Sequence, residues 1–395
     1  MNLSAEIVEA VRQAIDVDRL SATAVDLVGI PSPTCDATAV LNRLAELLEA
    51  DGFPTERPEA GYAKAPAVAA RFDSGVPGPV MQFNGHFDTV HLPFIAPRIE
   101  NGILYGSGAS DMKGGMAAAL EAFRILKENK FLTAGSVLYT GHDLHEAPWG
   151  DGTQIDRLIE AGYVGDAVML PEYVSDRLAV VGRGLAILKV TLSREGIPVH
   201  EVLGGMEQPS VIAAGAELIT RINELDQQLS EITDGIAGRE SMFIGEVRSG
   251  EIYNQAPTEF QLTGTRRWLP GTKHEAVKQQ FLDLLKQVEQ ACPGITATGE
   301  FHFVRDAFQL DQEHTVVSNF QDVCTNVMGE PLPIGCKPFV DDGNTFSALK
   351  NIPAITHGPN AKGAHTVNEE VPIAELERVA LVYALTAISF CNGEQ

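Results

Sequence analysis

Over the first 170 residues, apolar runs of strand length alternate with helix-length stretches, and this alternation constrains the fold more than any other feature. Residues 67–72, 80–83, 136–140 and 167–170 are short apolar runs and predict buried strands. Residues 5–50 predict helix, interrupted near Pro31-Ser32-Pro33 and closing at Gly52. Residues 115–129 and 151–161 predict two further helices. Strand and helix in turn argue for an α/β sandwich with a mostly parallel sheet.

The rhythm changes after about residue 180. Residues 185–192 and 259–266 alternate in the manner of strands with one wet face, helical stretches run over 210–227 and 273–290, and 301–304 reads as a closing strand. A β-α-β-β-α-β order of this kind describes a small inserted antiparallel, ferredoxin-like α+β unit. The first pattern then returns, with a helix near 316–328, a strand at 354–356 and a final helix over 373–390. The expected division is therefore a first domain over 1–180 and 305–395, with a second domain over 181–304. A chain of 395 residues also favours two cores on length alone.

The 53 acidic residues against 29 basic ones give a formal net charge of −24. Such a surface repels phosphate backbones and anionic lipid, so the expected partner is a small-molecule substrate and neither nucleic acid nor membrane. Met1-Asn2-Leu3-Ser4-Ala5-Glu6 has no basic segment leading into an apolar one, and no apolar run approaches the length of a membrane span. Cys35, Cys292, Cys324, Cys336 and Cys391 are scattered, odd in number and in no CxxC pair. They read as reduced thiols of a cytoplasmic protein.

Five short segments concentrate metal-ligand residue types. Gly85-His86-Phe87-Asp88 places an imidazole and a carboxylate two apart, on one side of an extended chain, so that the acid can orient the ring. Alone, the pair equally describes hydrogen bonding at a strand end. Gly106-Ser107-Gly108-Ala109-Ser110-Asp111 sets one carboxylate in a glycine-rich turn that opens a helix; the GxGxxG order of a phosphate cradle is absent. His142-Asp143-Leu144-His145-Glu146 packs two imidazoles and two acids into five residues directly after a strand. Pro171-Glu172 ends the next strand in an acid, and Ala364-His365-Thr366-Val367-Asn368-Glu369 lies late in the chain. Open α/β sheets build sites at the carboxyl ends of their strands. Mixed imidazole and carboxylate there suits Zn²⁺ or another first-row divalent ion, whereas all-oxygen ligation would suit Mg²⁺ or Ca²⁺. A carboxylate bridging two such ions is the arrangement of a cocatalytic hydrolase.

In the order and spacing of these segments the chain resembles the M20 metallopeptidases, a family that includes aminoacylases, acetylornithine deacetylase, succinyl-diaminopimelate desuccinylase and glutamate carboxypeptidases. The resemblance spans nearly the whole sequence. It implies two divalent ions, Zn²⁺ first with Mn²⁺ and Co²⁺ as alternatives, held by His86, Asp111, Glu146, Glu172 and His365. Asp111 would bridge them, with a cis peptide bond to Met112, and Asp88 would orient His86. The inserted domain becomes a lid and a homodimer contact, through which His200 of a partner copy polarises the scissile carbonyl. Asn254 and Arg266 or Arg267 lie where the family binds a substrate carboxylate.

One position departs from the family pattern. Relatives carry Asp-Glu-Glu where this chain has Leu144-His145-Glu146, so the general-base place holds His145. A neutral imidazole can take a proton from water near pH 7. His145 as an added metal ligand and Asp143 as the base are the alternatives. The implied activity is hydrolysis of the C–N bond of an N-acyl amino acid or similar small carboxylate through metal-activated water. The competing readings are hydrolysis of a non-peptide C–N bond, such as deamination, and a metal-binding homologue without activity.

Overall fold

A computed structural model describes residues 3–148 and 150–392. The chain forms two compact units: Met1–Val180, Leu310–Gly335 and Thr345–Gln395 make the first, and Val181–Gln309 with Cys336–Asn344 the second. Residues 336–344 join the second unit through specific bonds. The Lys337 ammonium pairs with Asp341 at 2.5 Å and sits 3.6 Å over the Phe308 ring, and Asn344 Nδ2 donates to the Asp306 carbonyl at 2.7 Å.

The first unit is an α/β sandwich around a six-stranded sheet in the order Thr55–Glu56, Val68–Asp73, Ser136–His142, Val80–His86, Ala167–Leu170, Ala354–Thr356. The last four run parallel, Val68–Asp73 runs antiparallel to them and Thr55–Glu56 antiparallel to it, so the sheet is mostly parallel, as the alternation predicts. The central strands are buried on both faces, which explains their continuous apolar character. Helices Lys113–Glu128 and Ile373–Cys391 pack on each other and are almost wholly buried.

The predicted helix over 5–50 is three helices, Ala5–Ala14, Val17–Val28 and Thr38–Ala50. The unforeseen break falls at Asp16, whose side chain caps the second helix through Arg19 N and whose own N–H donates to the buried Glu121 carboxylate. Glu121 also takes a two-pronged ion pair from Arg19, with both N···O distances 2.8 Å. Among the described residues, no helix is long and apolar enough to cross a membrane.

The second unit is a four-stranded antiparallel sheet ordered Ser241–Ser249, Glu259–Trp268, Gly184–Ser193, Thr296–Arg305. Helices Val211–Leu229 and His274–Ala291 bury one face of it against Leu188, Val190, Leu192, Phe260 and Leu262. Each such side chain contributes about 1.5–3 kcal/mol by leaving water. The strand Ser241–Ser249 supplies the member that the β-α-β-β-α-β order demands and that the sequence pattern does not reveal.

Candidate metal centre

His86 closes the strand Val80–His86 and lies in parallel register with His142, the last residue of its neighbour. The loop after His142 carries His145 and Glu146, and Glu172 follows Ala167–Leu170 by two residues. His365 comes from the segment after Ala354–Thr356. Four adjacent parallel strands thus deliver these side chains at their carboxyl ends, where a doubly wound sheet leaves its crevice. Asp111 reaches the same place from the turn before Lys113–Glu128. Two glycines permit the close approach: a Cβ at Gly115 would stand 2.0 Å from the Pro171 carbonyl oxygen, and one at Gly358 2.1 Å from that of Glu172.

Asp111 stands between the two imidazoles. Its Oδ1 is 3.2 Å from His86 Nε2, and its Oδ2 is 3.4 Å from His365 Nε2. Glu172 approaches His86 Nε2 at 3.8 Å, and Glu146 approaches His365 Nε2 at 3.1 Å. Ligand-type atoms of His86, Asp111 and Glu146 lie within 4.8 Å of one another. His365 itself adopts a left-handed backbone, with φ 60°, inside a turn closed by the Thr366 hydroxyl on the Gly363 carbonyl. The Asp111–Met112 peptide bond is cis.

These residues fit a pair of divalent ions. His86 Nδ1 is 2.9 Å from the Asp88 main-chain oxygen, which can only accept, so Nδ1 carries the proton and Nε2 offers its lone pair. That Nε2 is fully buried and has no hydrogen-bond partner, an orphan that a cation would satisfy. Asp111, Glu146 and Glu172 are all buried, and collecting three carboxylates away from water costs several kcal/mol per charge unless positive charge offsets it. Without ions, protons serve as that charge. Hydrogen bonds to Asp111 and Glu146 push His365 up to about 10. Burial pulls His86 down, yet Asp111 and the charges of Asp88, Glu146 and Glu172 hold it well above the ordinary imidazole range. Burial opposes ionisation of Asp111, but the two imidazoles keep its carboxyl well below the usual range.

His145 lies parallel to His86, with ring centroids 4.1 Å apart and planes 7° from parallel. An ion in the plane of one ring is therefore well off the plane of the other; ligand-type atoms of His86, His145 and Glu172 nevertheless lie within 4.8 Å of one another, so the geometry accommodates His145 both as base and as an added ligand. Asp88 holds this pair in place: its Oδ2 accepts from His145 N at 3.0 Å, Glu146 N at 2.8 Å and the Thr34 hydroxyl at 2.7 Å. The His86 ring thus donates its hydrogen bond to the Asp88 main-chain oxygen, and the Asp88 carboxylate, 3.6 Å from Nδ1, mainly fixes the loop beside it. Asp143 has a similar task. Its oxygens accept from the N–H groups of Cys35, Ala37 and Leu144 at 2.6–3.0 Å, which commits them to the loop, while burial and the charge of Asp88 raise its pKa.

Glu369 closes the segment that carries His365. Its carboxylate accepts three main-chain N–H bonds from the turn that bears Asp111, and burial with the charge of Asp111 pushes it up to about 7. Its signal was its place four residues after His365.

The remaining candidates lie in the second unit. His200 ends the short strand Val199–His200, paired with Gln255–Ala256, and the Asn254 amide is 3.0 Å from its Nε2. Arg266 is buried and paired with Glu240 at 2.5 Å, while Glu240 also accepts from Leu269 N and the Thr272 hydroxyl. Arg267 points to the opposite face of the same strand, half-buried. Burial and the neighbouring Arg183 charge lower its pKa, and among the described residues no carboxylate pairs with it.

The profile of peptidase family M20/M25/M40 matches residues 82–389. The succinyl-diaminopimelate desuccinylase of Methylobacterium radiotolerans is 26% identical over 93% of this chain and 96% of its own length. Aminopeptidase PepT of Bacillus cereus superposes with a TM-score of 0.77 at 19% identity, covering 95% of this chain and all of that one. The YXEP protein of Bacillus subtilis, described as a dinuclear metal binding peptidase, gives 0.68 at 15% identity, covering 94% and 97%.

Proposed function

Because the chain belongs to peptidase family M20/M25/M40, and so is a metal-dependent hydrolase of C–N amide bonds, we propose that it cleaves the amide of an N-acyl amino acid or similar small carboxylate. The observation that carries this reading is Asp111, one carboxylate with an oxygen turned to each of two imidazoles. His86, Asp111, Glu146, Glu172 and His365 would hold two divalent ions, with Zn²⁺ favoured by the mixed nitrogen and oxygen donors. Bound there, the ions supply electrophilic stabilisation and water activation. His145 accepts the proton of the attacking water and passes it to the leaving nitrogen. Asp88 keeps His145 and Glu146 in register through their main-chain N–H groups. Arg267 is the better candidate for the substrate carboxylate, since Arg266 is engaged by Glu240. Scattered cysteines in no CxxC pair support a reducing, cytoplasmic setting.

Turnover of a panel of N-succinyl, N-formyl and N-acetyl amino acids is the direct test. Hydrolysis should appear with Zn²⁺, Mn²⁺ or Co²⁺, vanish with a chelator and return on adding metal. Inertness toward every amide, with release of ammonia from non-peptide amines, would replace this reading with deamination. Inertness toward both classes, with metal still bound, would leave a binding protein.

The second unit is proposed to pair with a second copy, whose His200 polarises the substrate carbonyl. Around His200, large apolar side chains stand in water: Tyr253 is 98% exposed, Met206 86%, and Ile197, Val202 and Leu203 more than 70%. An apolar patch of this kind marks an interaction surface. Sedimentation should show a dimer, and Met206→Glu with Tyr253→Glu should yield monomers that keep their metals and lose turnover. Fully active monomers would remove His200 from the mechanism.

A further inference from the structure

We propose that Glu369 is the positioning residue for Asp111, fixing the glycine-rich turn in the one shape that presents this carboxylate to both imidazoles. The inference rests on the metal-centre reading above. Glu369 Oε1 accepts from Gly108 N at 3.1 Å, and Oε2 accepts from Ser110 N and Asp111 N, each also at 3.1 Å. Its own main-chain oxygen takes a fourth bond, from Gly106 N at 3.3 Å. Every N–H that the turn offers from Gly106 to Asp111, apart from those of Ser107 and Ala109, therefore ends on this one residue. Ser107 N and Ala109 N are held instead by the carbonyls of Ile95 and Gly106.

The register of the neighbouring sheet explains why it lands there. Strand Glu370–Pro372 pairs antiparallel with Ile103–Tyr105, Glu370 opposite Tyr105, which sets Glu369 against the first residue of the turn. Four residues earlier the same segment carries His365. Glu369 thus ties the loop of one imidazole to the turn of the carboxylate between them, across more than 250 residues of sequence. Glu369 is 5% exposed, and the charge of Glu369 acts against the burial that pulls the Lys113 ammonium, whose Nζ donates to the Ile30 carbonyl, down to about 7. A buried carboxylate kept so close to Asp111 opposes that residue's charge. Its retention makes sense only through the N–H groups it gathers, because each, left unbonded, would cost about 1–3 kcal/mol.

Both oxygens face N–H donors, so Glu369→Gln sets an amide N–H₂ against at least one of them and opens the turn. Groups that orient metal ligands typically contribute about 10–100-fold in affinity. Zn²⁺ titrated into the apoprotein against a chromophoric chelator should bind E369Q about 10–100-fold more weakly than the parent. Glu121→Gln is the matched control. It breaks a buried carboxylate's pair with Arg19 far from the ligands, so it should lower the melting temperature and leave the Zn²⁺ constants alone. Should E369Q fail to fold, Glu369→Asp, which keeps the charge but shortens the reach, should show the same direction. Parent-like Zn²⁺ constants in the folded Glu369 variant, or a loss no greater than that of E121Q, would overturn the proposal. A parent protein that binds no Zn²⁺ would instead overturn the metal-centre reading.

Discussion

Asp111→Ala should release both ions at once, and with them all measurable amide hydrolysis. The two oxygens of Asp111 face different imidazoles, 3.2 Å from His86 Nε2 and 3.4 Å from His365 Nε2. A carboxylate so placed belongs to both halves of the site. Glu172 approaches the His86 ring at 3.8 Å and Glu146 the His365 ring at 3.1 Å. Removing Asp111 therefore strips each half of a donor while leaving the other four side chains present. The loss should exceed the roughly 10–100-fold seen when an outer, orienting group is removed. Metal analysis after dialysis reads the result directly, with about two ions per chain in the parent and none in the variant. Glu172→Ala offers the contrast, since it should lower the content toward one ion. Retention of one tightly bound ion by Asp111→Ala would refute the bridging role.

The parts of this site that can be read from sequence are those whose chemistry sits in the side chain and whose place follows from a strand. His86, Glu146 and Glu172 each close or follow a short apolar run, so strand prediction alone sends them to one edge of a parallel sheet. The anchoring acids are different. Asp88, Asp143 and Glu369 each accept main-chain N–H groups, and a main-chain donor leaves no signature in the sequence of the loop that offers it. Glu369 and Asp111 are joined only because two short strands pair, a long-range event that no local pattern encodes.

In the second unit, strand Ser241–Ser249 escapes the period-two test because its register shifts between Ile244 and Glu246, around Gly245. Arg266 and Arg267 show the converse. Adjacent residues on a strand face opposite ways, so one arginine turns to the buried Glu240 while its neighbour keeps the other face.

Changing His145 to alanine should lower kcat by about 10²–10⁴-fold while the metal content stays that of the parent. A ligand and its ion share the plane of the imidazole ring, yet the His145 and His86 planes are only 7° from parallel and 4.1 Å apart between centroids. His145 therefore stands over His86, with a ligand-type atom within 4.8 Å of those of His86 and Glu172, so metal content is the readout that separates a base from an added ligand. The loop leaves it little freedom to move elsewhere, because Asp88 grips the N–H groups of both His145 and Glu146. Asp143, the neighbouring acid, has its oxygens committed to three main-chain N–H groups, while burial raises its pKa. The expected pattern is thus a fall in kcat with unchanged ion stoichiometry, and partial recovery in His145→Glu, which restores the acid that relatives carry. Loss of an ion from His145→Ala would make the residue a ligand. An unchanged rate would send the search for the base to another group.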